Sequence, residues 1–180
     1  MANEPTFREV QRYKQPWLWA IISLASCLTA GLMAYGMIQQ LVFHVPWGNH
    51  PMPDSMLVWF GPLMIGVGIG IFVLFLKARL ITEVRGDGVY IRYIPFHRRF
   101  HWYFFDTIVK AEAVTYSPMR DYGGWGIRYG RLGKAYNVSG NRGVNITFTN
   151  GTKLLIGSMQ PEALADAITR GLPFVNKNGR

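Results

Sequence analysis

Between Tyr116 and Gly143 the chain gathers residue types that hold anions: Arg120, Arg128, Arg131, Lys134 and Arg142, set among glycines around Trp125. A guanidinium presents a planar fork of N–H donors to carboxylate or phosphate, and glycine turns expose backbone amides that do the same. Gly123, Gly124 and Gly126 flank Trp125. Glycine inside a strand marks a bulge or a close backbone approach. The segment Ser139-Gly-Asn-Arg-Gly143 has the glycines of an anion-cradling loop but not the spacing of a P-loop or a dinucleotide fingerprint, so a hairpin turn is the plainer reading. Arg120, Trp125, Arg128, Arg131, Lys134, Asn141 and Arg142 are therefore the candidate anion- or partner-binding residues. The competing reading is a bulged strand with a packed Trp and solvated arginines.

Other chemistry is thinner. Phe96-His-Arg-Arg-Phe-His-Trp-Tyr103 mixes basic and aromatic residues that suit lipid headgroups, or a simple exposed basic turn, and His97 and His101 are spaced to share one face of it. His44, His50, Met52 and Met56 offer copper-type ligands, but they are too few and too irregularly spaced, and no metal or cofactor is expected. The acids after residue 76, Glu83, Asp87, Asp106, Glu112, Asp121, Glu162 and Asp166, are scattered, with no paired carboxylates and no nucleophile beside a base. Cys27 is the single cysteine, which excludes an internal disulfide and a cysteine metal cluster. Asn137-Val-Ser and Asn145-Ile-Thr match glycosylation acceptors, which matter only in an external domain.

The elements that must position these residues read as strands. From Leu80 the hydrophobic period becomes two. Ile81–Arg85 and Val89–Phe96 pair across the Gly86-Asp-Gly88 turn. Phe100–Phe105 and Ile108–Tyr116 form one long strand, or two parts broken at Asp106. Gly123–Tyr129, Lys134–Val138, Val144–Thr149 and Lys153–Ile156 follow, the last two joined by Asn150-Gly151. Ser158 is placed as the cap of a helix with Leu164, Ala165, Ile168 and Leu172 on its apolar face, stopped by Gly171 and Pro173. About seven antiparallel strands with a terminal amphipathic helix suggest a pleckstrin-homology-like barrel or sandwich, capped by that helix, over residues 80–173.

The first 76 residues differ in kind. Trp17–Phe43 and Met56–Leu76 are uncharged apolar runs, and about 20 such residues span a hydrocarbon core. The loop 44–55 holds three prolines and no Lys or Arg, whereas Arg8, Arg12 and Lys14 precede the first run and Lys77 and Arg79 follow the second. The positive-inside rule then puts both termini in the cytoplasm, residues 1–16 being a cytoplasmic tail and 174–180 a second. Ser26, Ala30 and Ala34, with Gly66, Gly68 and Gly70, permit close helix packing within the hairpin or between copies. The formal charge of +9 lies after residue 76, where 16 basic residues face seven acidic ones. Such a charge suits anionic lipid or an acidic partner.

Three stretches carry a family resemblance: Tyr116-Ser-Pro-Met-Arg-Asp-Tyr-Gly-Gly-Trp-Gly-Ile-Arg128, Gly133-Lys-Ala-Tyr-Asn-Val-Ser-Gly-Asn-Arg-Gly143 and Leu155-Ile-Gly-Ser-Met-Gln-Pro-Glu162. Over residues 15 to 172 the chain resembles an uncharacterised prokaryotic membrane protein family with two transmembrane helices and a bacterial pleckstrin-homology-like domain. The resemblance implies architecture and an inner-membrane location, and no reaction. The expected function is a membrane-anchored binding or scaffold module whose partners are the bilayer, a protein or a second copy, or anionic lipid, with no role for nucleic acid. The alternatives are an accessory or assembly subunit of a larger membrane complex and, last, a lipid-headgroup-modifying enzyme that would depend on Arg128, Arg142 or Asp121.

Overall fold

The computed structural model describes residues 4–130 and 132–173. It is a mixed α+β chain in two compact units: one formed by the residues up to Tyr13 together with those from Ala78 onward, the other by Lys14–Lys77.

The second unit is a helical hairpin. Helix α1 (Pro16–Met37) has Pro16 at its first turn, where a missing N–H costs nothing, and continues as a wider π-helical turn over Ile38–Val42. Helix α2 (Asp54–Lys77) opens on an acid and closes on a base, matching the helix dipole. Both helices are long and apolar enough to cross a membrane. The two meet at small residues. A methyl on Gly68 would stand 3.2 Å from the Ser26 carbonyl oxygen, so the bare glycine is what lets the backbones approach. Trp19 and Phe72 pack edge to face at 5.7 Å. Gly31, Gly66 and Gly70 have nothing within 4 Å of that position, so they lie off the contact within the hairpin. At the loop, the buried Gln40 amide donates to the Met52 carbonyl at 2.5 Å and to Asp54 Oδ1 at 2.6 Å.

The first unit holds nine strands among the described residues, in two sheets. One sheet has the order β1 (Phe7–Arg12), β2 (Arg79–Arg85), β3 (Gly88–Ile94), β4 (His101–Phe104), all antiparallel. The other joins β5 (Ile108–Thr115), β8 (Arg142–Phe148), β9 (Lys153–Gly157), β7 (Gly133–Asn137) and β6 (Gly126–Gly130) in that order, with β7 and β9 parallel. The sheets do not close into a barrel. A short 3₁₀ turn at Phe105–Thr107 carries the chain from β4 to β5 at the predicted break. Helix α4 (Pro161–Gly171) seals the core, with Leu164 and Ile168 fully buried among Leu80, Ile91, Val144 and Ile156.

The expectation of about seven strands, all antiparallel, is corrected: nine stand among the described residues, and β9 inserts between β7 and β8, so it runs antiparallel to β8 and parallel to β7. Three further expectations are corrected. Residues 7–12 are not a tail but an edge strand, in register with β2 from Phe7↔Val84 to Arg12↔Arg79. Their alternation is inverted, which hid them: the positions facing the protein are Phe7, Glu9 and Gln11. Gln11 is fully buried and donates to the Gly157 carbonyl at 2.6 Å. Glu9 accepts from the Ser158 hydroxyl at 2.6 Å and from the Met159 amide at 2.7 Å. Second, Ser158 does not cap α4 directly: Gln160 precedes the helix, and Ser158 Oγ accepts from the Gln160 amide at 3.0 Å while donating to Glu9. Third, Gly123 and Gly124 are not strand. A short helix α3 (Pro118–Tyr122) stands there, and Gly123 ends it at φ +70°, a left-handed position that glycine takes without a Cβ clash.

Glu9→Ala removes the acceptor of two hydrogen bonds at the entrance to α4. It is expected to lower stability by about 1–3 kcal/mol, whereas Val10→Ala on the exposed face of β1 should change it by less than ~0.5 kcal/mol. Urea unfolding of the full chain in micelles, followed by tryptophan fluorescence, checks the pair.

Candidate anion-binding cleft

The β6–β7 hairpin sets opposite residues on one face: Ile127 against Tyr136 and Tyr129 against Lys134. Ile127 packs on the core, so this is the inner face, and Lys134 projects inward with it. Because β7 and β9 run parallel, the turns that precede them, β6–β7 and β8–β9, lie at the same end of the sheet. Tyr103 from β4 reaches that end from the other sheet and stacks on Phe148 at 5.3 Å. The result is an open cavity of about 620 Å³, lined by Tyr103, Tyr129, Lys134, Phe148, Thr152 and Lys153.

Its electrostatics are one-sided. Lys134 Nζ lies 4.7 Å from the Tyr136 ring centre and 5.2 Å from that of Tyr129, within cation–π range. Among the described residues neither Lys134 nor Lys153 makes a salt bridge. Burial, more than its neighbours, pushes the Tyr103 phenol above its ordinary range, and the same holds for Tyr136, so both stay neutral. The Tyr136 hydroxyl is buried and has no hydrogen bond of good geometry, although it lies near enough to Tyr103 for the two to affect each other's ionisation. Turn amides are not free to help: the Gly151 N–H donates to the Phe148 carbonyl at 2.9 Å and the Thr152 N–H to Asn150 Oδ1 at 3.0 Å. Among the described residues, the charged side chains lining the cleft are Lys134 and Lys153.

Behind Tyr136 stands His97, whose ring is 5.6 Å from that tyrosine and 4.1 Å from His101, so the two histidines share a face as their spacing suggested. His97 Nδ1 accepts the Tyr93 amide at 3.3 Å, which requires that nitrogen to be unprotonated. Burial first, then His101 and Lys134, hold the imidazole below its ordinary 6.5.

The other sequence-selected residues are dispersed. Arg120 pairs with Asp121 at 3.1 Å, and Arg142 pairs with Glu162 of α4. Arg128 folds back, donating from Nε to the Trp125 carbonyl at 3.0 Å. Trp125 is half-buried and donates from Nε1 to the Gly140 carbonyl at 3.1 Å, which brings it to the 139–143 loop. Asn141 is exposed, and its carbonyl accepts the Tyr116 amide at 2.8 Å. Arg131 lies outside the described residues. Of the described members of the set, only Lys134 lines the cleft. Sequence reasoning missed Tyr103, Tyr129, Phe148 and Lys153. The Tyr129–Lys134 pairing was available from the short Gly130–Gly133 turn, but the approach of Tyr103 and Phe148 was not.

The sequence profile of a family of unknown function, DUF6141, matches residues 3–173. The chain belongs to this family. No curated protein and no solved structure matches it. The DUF6141 match runs through both helices of the hairpin and every strand, so the cleft and the β1 strand both lie within the family's span.

Depression of the His97 pKa fixes the sign of a pH effect. The neutral ring's contribution is complete above about pH 6.5 and is lost as the pH falls below that value, since the unfolded chain then binds the proton more readily. The melting temperature of the full chain is expected to drop between about pH 7.5 and 5.5, and His97→Gln should flatten that drop; thermal scans at the two pH values measure both.

Proposed function

We propose that this protein is a membrane-anchored binding module of the inner membrane. In this reading α1 and α2 cross the bilayer with both ends in the cytoplasm, and the basic two-sheet domain offers its cleft to a ligand at the inner surface. One observation carries it: the domain is assembled from strands on both sides of the hairpin, with Arg12 and Arg79 directly paired. With Arg12 and Arg79 paired, the chain leaves and re-enters the sheet at one register position, so the two ends of a hairpin that crossed a bilayer would fall on one side of it. The lysine and arginine bias around the helices supports a cytoplasmic assignment of that side. Large apolar side chains exposed along both helices, among them Leu24, Leu28, Leu63 and Ile69, suit lipid rather than water.

Two sheets with a C-terminal helix over the core follow the plan of a pleckstrin-homology-like domain, and such a plan commonly presents a ligand or protein to a membrane surface. The added strand β1 and the parallel β7–β9 pair are departures from it. Glu83, buried at 8% side-chain exposure, is held by Arg8 at 3.2 Å and Arg85 at 2.6 Å, which ties the added strand to the sheet by charge as well as by backbone. Asn137 is fully buried, so its glycosylation motif offers no accessible acceptor in the folded domain.

A second reading has its own support. Gly31, Gly66 and Gly70 leave bare backbone on the helices outside the hairpin's internal contact. That surface suits another helix, as in an accessory or assembly subunit of a larger membrane complex.

Single cysteines in a Cys27→Ser background test the topology. With His50→Cys, a membrane-impermeant maleimide should label intact cells. With Asp166→Cys it should label only after permeabilisation. The reverse pattern rejects the orientation. Affinity capture after cross-linking then tests the binding role: a partner or a second copy should be recovered reproducibly, and recovery of neither, in a protein that also ignores anionic vesicles, rejects it.

A further inference from the structure

The cleft's walls and charges specify a ligand class more narrowly than the module reading does. Three aromatic rings, those of Tyr103, Tyr129 and Phe148, bound the cavity, with Leu154 also lining it. Its volume of about 620 Å³ falls in the range that encloses small organic molecules. Lys134 is the inward cation, and Lys153 stands exposed at the rim on the neighbouring parallel strand, opposite the register of Lys134 by a single position. Among the described residues no carboxylate lines the cavity. Drawing an ammonium partly out of water costs free energy that rings offset only in part, and a bound anion would supply the remainder. The Gly151 and Thr152 amides of the β8–β9 turn are engaged by their own loop and do not face an anion. An anion held by lysine alone gains its affinity from whatever it carries against the rings.

We infer that the cleft between β4 and the β6–β7 hairpin binds an organic acid: a carboxylate or phosphate on Lys134, with Lys153 assisting, carried by an aromatic or aliphatic body packed on Tyr103, Tyr129 and Phe148. The inference rests on the reading of this domain as a binding module, and the two fail separately. A chain that recovers a partner but does not discriminate the acid below loses only the inference. The anion has two sources, a free metabolite acid or a phospholipid headgroup with its upper acyl carbons, and one probe set separates them.

The probe is 2-naphthoate, read by ligand-observed saturation-transfer NMR on the full chain in phosphatidylcholine nanodiscs, with empty nanodiscs subtracted. Naphthoate should bind at least about tenfold tighter than its neutral isostere 2-naphthamide, and also tighter than inorganic phosphate, which has the charge without the body. Lys134→Gln should abolish the preference over the amide, and Lys134→Arg should keep it. Tyr129→Ala, at a 77% exposed ring where folding is not at stake, should weaken naphthoate and naphthamide together. Equal binding of acid and amide by the wild type overturns the inference. So does an unchanged preference in Lys134→Gln with both variants folded by circular dichroism. Nanodiscs containing phosphatidylglycerol assign the source: displacement of naphthoate supports a headgroup in the cleft, and retention supports a soluble acid.

Discussion

The ladder between β1 and β2 is the constraint on which the molecule depends. It joins residues on either side of an apolar hairpin, from Phe7↔Val84 to Arg12↔Arg79, so the first sheet cannot be complete until the chain has gone out through both helices and returned. Backbone pairing is obligatory chemistry, because an unpaired buried N–H or carbonyl costs as much as a lost hydrogen bond. Strand β1 adds side-chain ties across the domain: Gln11 to the Gly157 carbonyl, and Glu9 to Ser158 and Met159 at the entrance to α4. The N-terminal residues thus couple the first sheet to the end of the second and to the helix that seals the core. Loop-closure cost grows only slowly with length, so an insertion of this size between paired strands is tolerable once its own helices pack.

That architecture explains why the cleft sits where it does. Helix α4 fills the space between the sheets with Leu164 and Ile168, and Phe105 packs beneath its last turn at Gly171. The strands of the β6–β7 hairpin and β4 are not covered in the same way, and there the inner face turns from aliphatic to aromatic and cationic. The parallel pairing of β7 with β9 aligns two turns at one end, where Lys134 and Lys153 both line the cavity. His97, behind Tyr136, adds further positive charge only at low pH, which is the direction of the expected loss of stability.

The sequence by itself determined the elements whose signals are local. Two uncharged runs long enough to span a bilayer appear as α1 and α2 within two residues of the expected helix starts. The period-two segments from Leu80, the break at Asp106, the Asn150-Gly151 turn and the final amphipathic helix all stand near their expected places, because propensity, turn chemistry and hydrophobic period agree there. The pairing of the two histidines on one face was legible for the same reason. Strand β1 was not legible: its inward positions carry Glu9 and Gln11, whose partners come from residues about 150 positions away, and no local rule turns a polar residue inward without them.

Tertiary structure alone decided the site. Composition marked the arginines between Tyr116 and Gly143, yet Arg120 and Arg142 meet carboxylates and Arg128 folds onto a carbonyl. The cation left facing the interior is a lysine, and its surroundings arrive from β4, β6, β8 and β9. A charge count in sequence cannot tell a paired arginine from a lysine that has no counter-ion among the described residues, because the difference lies in side-chain distances of a few ångströms that a count does not carry. The helical hairpin and the strand alternation were set by local physics; the sheet order, the parallel pair and the open cationic cleft followed from which long-range hydrogen bonds and packing contacts closed the core.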